Sequence, residues 1–432
     1  MAKSIWIVLA SVAAFPPTWV AAAATNETVL YHFTETTGGN DRISGLIRSG
    51  SGALYGTSYR GGANGAGEVF QLTPPAKGKS VWGFSEIHTG FGTQPGLSAS
   101  LAIDSAGALY GTDSASGPNG NGSVFKLTPP ASGKGVWPIT TLHSFTGQAG
   151  GYGPVSPVIL DGNGALYGTA AFGGQKEGLV GYFGTVFKLT PPAKGHTVWT
   201  YSEIYSFGGG TDGGFPVAGL VGDASGALYG TTQYAGTNNN GVVFKLTPPA
   251  AGVGVWKETV LYRFRGGVDG SQPVAGLALD GTGALYGTTE AGGSSSGNGN
   301  GIVFRLTPPA KGKIAWTYSV LHRFTGGADG GMPVAGVTIS GNALYGTAET
   351  GGVLGDGGNS AGNGVVFKLT PPAAGKTAWT ETIVHDFAKG TDMTDGTNPT
   401  AGLIVDGAGG FFGTTSGGDG ESLNGTVFKL SP

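Results

Sequence analysis

The chain has 432 residues, 87 of them Gly and 24 Pro, no Cys, 11% charged residues and a formal net charge of −3. So few charges, nearly balanced, leave no basic stripe to neutralise a phosphate backbone, which excludes nucleic acid as a partner; without Cys, disulfides and thiol nucleophiles are excluded too. Gly and Pro near a quarter of the chain would mean low complexity if the aromatics were scattered, but they are periodic.

Residues 1–24 differ from everything that follows. Lys3 supplies a positive start, Ile5 to Phe15 an apolar run and Ala22-Ala23-Ala24 a small-residue cleavage site, the pattern of a secretory signal. The run meets Pro16-Pro17 and is short of the roughly 20 apolar residues a membrane span needs. The expectation is an exported protein, secreted or periplasmic, with no membrane span after cleavage.

Residues 25–33 read as a lone strand, Glu27-Thr-Val-Leu-Tyr-His-Phe33. A unit then repeats over 43–91, 98–145, 155–207, 217–264, 274–324 and 334–387, and 401–432 holds a seventh copy without its last strand. Its landmark is Leu-Tyr-Gly-Thr, worn to Phe-Phe-Gly-Thr at Phe411 to Thr414. The tag aromatics Tyr55, Tyr110, Tyr167, Tyr229, Tyr286, Tyr345 and Phe412 are 55, 57, 62, 57, 59 and 67 residues apart, a period that suits blades or arrays.

Each copy reads as four short strands. In the fifth, strand a is 275–280, strand b 284–289, strand c 301–307 and strand d 316–324. Pro308-Pro309 ends strand c, because Pro cannot donate to a ladder. Four strands in each of seven units predict an all-β, seven-bladed propeller of four-stranded antiparallel blades, one domain over 25–432. The lone first strand completes the last blade, so neither sheet edge is exposed. A monomer is expected. Two sets of Phe support a shared core: Phe70, Phe125, Phe187, Phe244, Phe304, Phe367 and Phe428 in strand c, and Phe33, Phe91, Phe145, Phe207, Phe264, Phe324 and Phe387 ending strand d.

Polar residues also fall into repeat slots. Lys126, Lys188, Lys245, Arg305, Lys368 and Lys429, with Gln71 in the first copy, mark a solvated position of strand c. His88, His143, His322 and His385 share one slot of strand d with Tyr31, Tyr205 and Tyr262, which calls for an aromatic with a polar tip rather than a metal ligand. Asp104, Asp161, Asp223, Asp280 and Asp406, with Ser49 and Ser340, follow strand a as turn formers. A second acidic set, Asp212, Asp269, Asp329 and Asp395 with Asp41, lies in Gly-rich loops before strand a. Such loops can bind Ca²⁺, but the copies around Gln94 and Gly151 lack the Asp and turn chemistry is favoured; no other cofactor is expected.

Across the chain after the leader, Ala-Leu-Tyr-Gly-Thr, Val-Phe-Lys-Leu-Thr-Pro-Pro and segments such as Trp256 to Phe264 recur together in order. In this the sequence resembles the GloVer tandem repeat of bacterial "choice-of-anchor" exported proteins. The resemblance implies an exported repeat protein, often with a C-terminal sorting signal, and no enzymatic activity. The sequence ends at Ser431-Pro432 without such a signal, so release or a periplasmic place is expected over surface attachment.

The turns a to b and c to d hardly vary, whereas loops b to c and d to a vary in length and content. In a propeller the two variable sets share one face, and function concentrates in loops placed by a rigid scaffold. Directly after strand b that face offers Tyr59, Arg60, Asp113, Phe172, Gln233, Tyr234, Glu290 and Glu349 as ligand-binding candidates. Aromatic and polar groups together suit sugar rings or a peptide, so a non-catalytic binding, adhesion or structural module is expected, with a carbohydrate or an envelope or extracellular protein as partner. The alternative is a polysaccharide hydrolase or lyase using carboxylates such as Glu290 and Glu349. No nucleophile elbow or phosphate-binding loop is present, and the loose Gly-x-Gly-x-x-Gly matches precede no helix.

Overall fold

A computed structural model of the protein describes residues 26–34, 43–62, 65–90, 95–131, 135–176, 179–180, 182–250, 254–295, 299–353, 362–387, 394–418 and 424–432. The expected leader, Asp41, Phe91 and Gln94 lie outside these residues.

The tag forms strand b because it fits a strand buried on both faces. In blade 5 every residue of Leu285–Thr289 is buried. Its Gly is required by the neighbouring strand: a Cβ on Gly230 of blade 4 would stand 2.6 Å from the Phe244 ring and 2.9 Å from Leu220. The same conflict recurs at the tag glycine of every blade, so the Phe of strand c lies over a position that only Gly can occupy. All 12 of the largest fully buried side chains among the described residues are Phe.

Seven four-stranded antiparallel sheets result, each in the order a, b, c, d. Blade 5 is Ala278–Leu279, Leu285–Thr289, Ile302–Thr307 and Thr317–Arg323. Among the described residues the only helical segments are two 3-10 turns, Gln148–Gly150 and Gly267–Asp269. In blade 7 the outer strand is the first strand of the chain, Asn26–His32, paired with Thr426–Ser431. It reproduces the bulge found in the covalently continuous blades: the register slips between Val29 and Tyr31, as it does opposite Val303 and Phe304.

Between blades one hydrogen bond recurs all the way round. The tag Thr donates to a carbonyl ahead of strand a in the next blade: Thr57 to Ala99, Thr112 to Ser156, Thr169 to Ala218, Thr231 to Ala275, Thr288 to Ala335, Thr347 to Ala401, and Thr414 to Ser44. The last of these joins blade 7 to blade 1 at 3.2 Å, so the ring is closed. Aromatic contacts run beside it. The Phe ending strand d meets the strand-c Phe of the following blade, from Phe145 on Phe187 to Phe387 on Phe428 and Phe33 on Phe70. The Trp opening strand d packs on the previous tag aromatic, as Trp256 does on Tyr167 and Trp82 on Phe412.

Two expectations need correction. The Phe slot of blade 1 belongs to Gly90 rather than Phe91: Gly90 donates to the Gly67 carbonyl as Phe145 does to Gly122, so Gly90 holds that register position. Leu97, fully buried beside Phe125, packs into the same cluster. The cationic slot of strand c is also not simply solvated. Lys245 Nζ lies 5.1 Å over the Tyr229 ring, and the other five cations lie comparably over their own tag aromatics. The tyrosine hydroxyl donates in turn to the turn-forming Asp, Tyr229 to Asp223 at 2.8 Å. Each such turn is thereby tied to the core.

Candidate functional site

Antiparallel strands alternate in direction, so loops b to c and d to a leave each blade at one end and turns a to b and c to d at the other. The two variable loops of a blade meet in short bridges: Tyr152 with Phe172, Gly214 with Tyr234, Ser271 with Ala291, Gly331 with Thr350, and Thr397 with Gly417. In blades 4 to 7 the equivalent loop-face residue sits in the left-handed region, Phe215 at φ 60°, Gln272 at 57°, Met332 at 52° and Asn398 at 56°. Such values are uncommon for residues other than Gly. They are held by two backbone bonds each. Phe215 donates to the Phe183 carbonyl of blade 3 at 2.7 Å and accepts from Gln233 at 3.0 Å; Gln272 donates to Asn240 and accepts from Glu290, and Met332 to Asn300 and from Glu349. Gln233, Glu290 and Glu349 thus occupy one half-buried slot in three successive blades.

Blades 3 and 4 depart from this pattern. The residue two before strand c is Asn121, Asn240, Asn300, Asn363 and Asn424 in five copies but Phe183 in the third. Phe183 meets Phe215 edge-on at 5.9 Å, Phe215 meets Phe172 at 5.7 Å and Tyr234 at 5.8 Å, and Phe172 stacks on Tyr152 at 5.2 Å with 22° between the rings. Five aromatics from four loops therefore touch in sequence on one face. Phe172 is exposed, and Tyr182, next to Phe183 in the chain, is exposed as well. Gly209 makes room for Phe183, since a Cβ there would stand 2.3 Å from its ring. The loop carrying Phe172 also folds a small hairpin, Gln175–Lys176 against Leu179–Val180.

Of the residues singled out in the sequence, Phe172, Gln233 and Tyr234 come together here. Glu290 and Glu349 lie in the same ring of loops one and two blades further on, and burial raises the Glu290 carboxyl. Tyr59 is half-buried and Arg60 exposed, both in blade 1 and apart from the aromatic group. Asp113 is a correction: fully buried, its Oδ1 accepts from the N–H groups of Ala115 and Ser116 at 2.9 Å, so it holds a turn and is withdrawn from any ligand. Tyr152, Phe183 and Phe215 were not singled out; Phe183 had a signal, because it breaks an Asn slot.

The calcium candidates are occupied by local structure. Asp212 accepts from the Tyr205 hydroxyl at 3.1 Å and the Gly208 N–H at 2.8 Å, and Asp269 from the Tyr262 hydroxyl at 2.5 Å and the Arg265 N–H at 2.9 Å. Asp329 accepts from the Thr325 N–H, and Asp395 lies 2.9 Å from His385 Nε2. Asp212, Asp269 and Asp329 hold backbone N–H groups of their own loops as turn formers, and among the described residues no group of three or more carboxylates and imidazoles has the arrangement to hold a metal ion. A cavity lined by Val353, Ile383, His385, Asp386 and Asp395 lies by the outer strand of blade 6 and includes none of the aromatic group.

Kinship is decided by a family model, the Gloeobacter/Verrucomicrobia repeat, which matches residues 19–199 and 97–358. The chain belongs to this repeat family. In this member of the Gloeobacter/Verrucomicrobia repeat family the tag, strand c and the Trp-led strand are the three segments that lock neighbouring blades together. No curated protein sequence matches the chain. Among solved structures, a calcium-bound Trichoderma reesei carbohydrate-active enzyme of family AA12 shares 12% identity over 95% of this chain and 96% of its own, with a TM-score of 0.45. A putative oxidoreductase (glucose dehydrogenase) from Thermus thermophilus shares 14% over 94% and 100%, with a TM-score of 0.40. Likenesses this distant carry nothing about chemistry.

Proposed function

We propose that the protein is an exported, monomeric, non-catalytic binding module whose loop face holds a carbohydrate on the aromatic group of blades 3 and 4. The observation that carries this reading is the exposed Phe172 stacked on Tyr152 at the edge of a five-ring cluster that departs from the repeat. Aromatic faces offer large, rigid apolar area at little entropic cost, and the C–H face of a pyranose is a flat apolar surface of matching size. The Gln233 amide, the Tyr234 hydroxyl and the Glu290 carboxyl lie around the same loop ring as hydrogen-bonding groups for sugar hydroxyls. Left-handed Phe215, fixed by two backbone bonds, gives the platform a preorganised base.

A polysaccharide-active enzyme is the second reading, favoured by the Glu290 carboxyl, which burial raises as a general acid requires. A glycan array with the purified protein, followed by reducing-end and unsaturated-product assays on each binder, separates the two. Binding weakened about tenfold or more by Phe172→Ala or Tyr234→Ala, a loss of about 1.4 kcal/mol, without turnover is the expected result. Turnover that vanishes in Glu290→Gln or Glu349→Gln would replace the binding reading by the enzymatic one, and no glycan bound at all would leave a structural role.

A further inference from the structure

The six turns that join strands c and d in blades 1–6 share the sequence Thr-Pro-Pro-Ala-x-Gly and leave the ring on the face opposite the variable loops. Blade 7 has no such turn, since its strands c and d come from opposite ends of the chain. In four turns the residue before the Trp is Val, and in the fifth Ile314 stands two before it. Val81, Val136, Val198, Val255 and Ile314 are 79%, 79%, 77%, 90% and 95% exposed, five of the nine large hydrophobics that stand exposed among the described residues. The Trp beside them anchors the turn on the preceding blade, so the core makes no use of the Val. One exposed Val is ordinary. A solvent-facing Val just before the Trp in four consecutive copies, with Ile314 one residue earlier in the fifth, is a surface.

Its charge is of one sign. Lys77, Lys79, Lys194, Lys311, Lys313 and Lys376 are exposed in these turns, and no Asp or Glu occurs in any of them, on a chain whose net charge is −3. The carboxylates of the a to b turns on this face, such as Asp223 and Asp406, are engaged by Tyr229, by Lys429 and by backbone N–H groups. Apolar tips and cations without carboxylates, carried by consecutive turns of one face, match a flat anionic surface that also has an apolar interior.

We propose that this face docks peripherally on an anionic phospholipid bilayer, the Val and Ile tips entering the headgroup layer while the lysines pair with phosphates. A soluble polyanion would use the lysines and leave the tips idle. A peptide groove would need one turn unlike the others, whereas here they are alike. Each lysine near such a leaflet strengthens partitioning about fivefold, and salt weakens that share.

Because the chain has no Cys, a single introduced thiol can be labelled uniquely. The full chain carrying Val136→Cys, and separately Val268→Cys on the opposite face, is labelled with a polarity-sensitive fluorophore and mixed with vesicles of phosphatidylglycerol and phosphatidylcholine in equal parts. A blue shift at Val136→Cys and none at Val268→Cys is expected, with partitioning reduced about tenfold or more when the five tips are replaced by Ser. No shift at Val136→Cys, an equal shift at both positions, or partitioning unchanged by the Ser replacements would overturn the proposal. So would self-association of the unlabelled protein by light scattering that the same replacements abolish while vesicles produce no shift, which would make a second copy the partner.

Discussion

Glu27 and Glu381 occupy the same slot of strand d, two residues after the Trp position, where each faces the His of the preceding blade. Glu381 Oε1 lies 3.8 Å from His322 Nε2, Asp329 Oδ2 lies 3.5 Å from the same nitrogen, and Glu27 faces His385 and Asp395 across the seam where the first strand joins the ring. Burial pushes both carboxyls up to about 7. Such a group holds its proton in the fold but releases it near 4.5 when unfolded, so its stabilisation is complete below pH 4.5 and is lost as pH rises to 7. His143, which burial pushes down to about 4, acts in the opposite sense: its stabilisation is lost as pH falls below 6.5. The two are separated by substitution. Glu27→Gln should melt close to the wild type at about pH 5 and clearly above it at about pH 8; a margin that does not grow with pH would refute the assignment. The sequence showed that this strand wanted an aromatic with a polar tip at the His and Tyr positions. It could not show the partner, because Glu381 lies in the next blade, far along the chain from His322.

At the scale of the element, the seventh blade shows how a repeat adapts where the chain ends. In blades 1 to 4 the tag aromatic meets a Trp from the following strand d, as Tyr229 meets Trp316. The strand d that follows Tyr345 is the N-terminal one, which carries no Trp in that slot. Phe411, standing where other tags have Leu, supplies the ring instead, with centroids 4.3 Å apart. The next residue, Phe412, lacks the hydroxyl that Tyr110, Tyr167, Tyr229 and Tyr286 give to Asp, and Asp406 is met by Lys429 at 3.1 Å. Both changes restore the consensus if reversed, yet they should differ in sign. Phe411→Leu removes an aromatic pair worth about 0.5 to 1.5 kcal/mol beyond its area and should lower the melting temperature, whereas Phe412→Tyr adds a hydroxyl beside Asp406 and should leave it equal or higher. Calorimetry of the two variants checks this; a stabilised Phe411→Leu would contradict it. What looked in the sequence like a worn copy is a fitted one, and the reason is visible only once blade 6 and the first strand stand side by side.

For the whole molecule, seven blades, their four strands and the closing role of the first strand were all readable from a period near 60 residues and from one unpaired strand at the start of the chain. Of the site, the face was readable from the variable loops. The aromatic group was only partly so, because Tyr152, Phe172, Phe183, Phe215 and Tyr234 come from four loops that only folding brings together. Both the loop platform and the opposite fringe depend on the ring being closed, and its closure rests on Val29, Tyr31 stacked on Phe84 at 4.5 Å and Phe33 on Phe70 at 5.1 Å. Burying one such side chain contributes roughly 1.5 to 3 kcal/mol, so losing the strand takes much of a typical domain stability of about 5 to 15 kcal/mol. The direct measurement is calorimetry of two truncations. Removing residues 1–24 should leave the melting temperature unchanged, while removing residues 1–33 should lower it by about 10 °C or more or cause aggregation; equal melting temperatures would mean that the first strand does not close the ring.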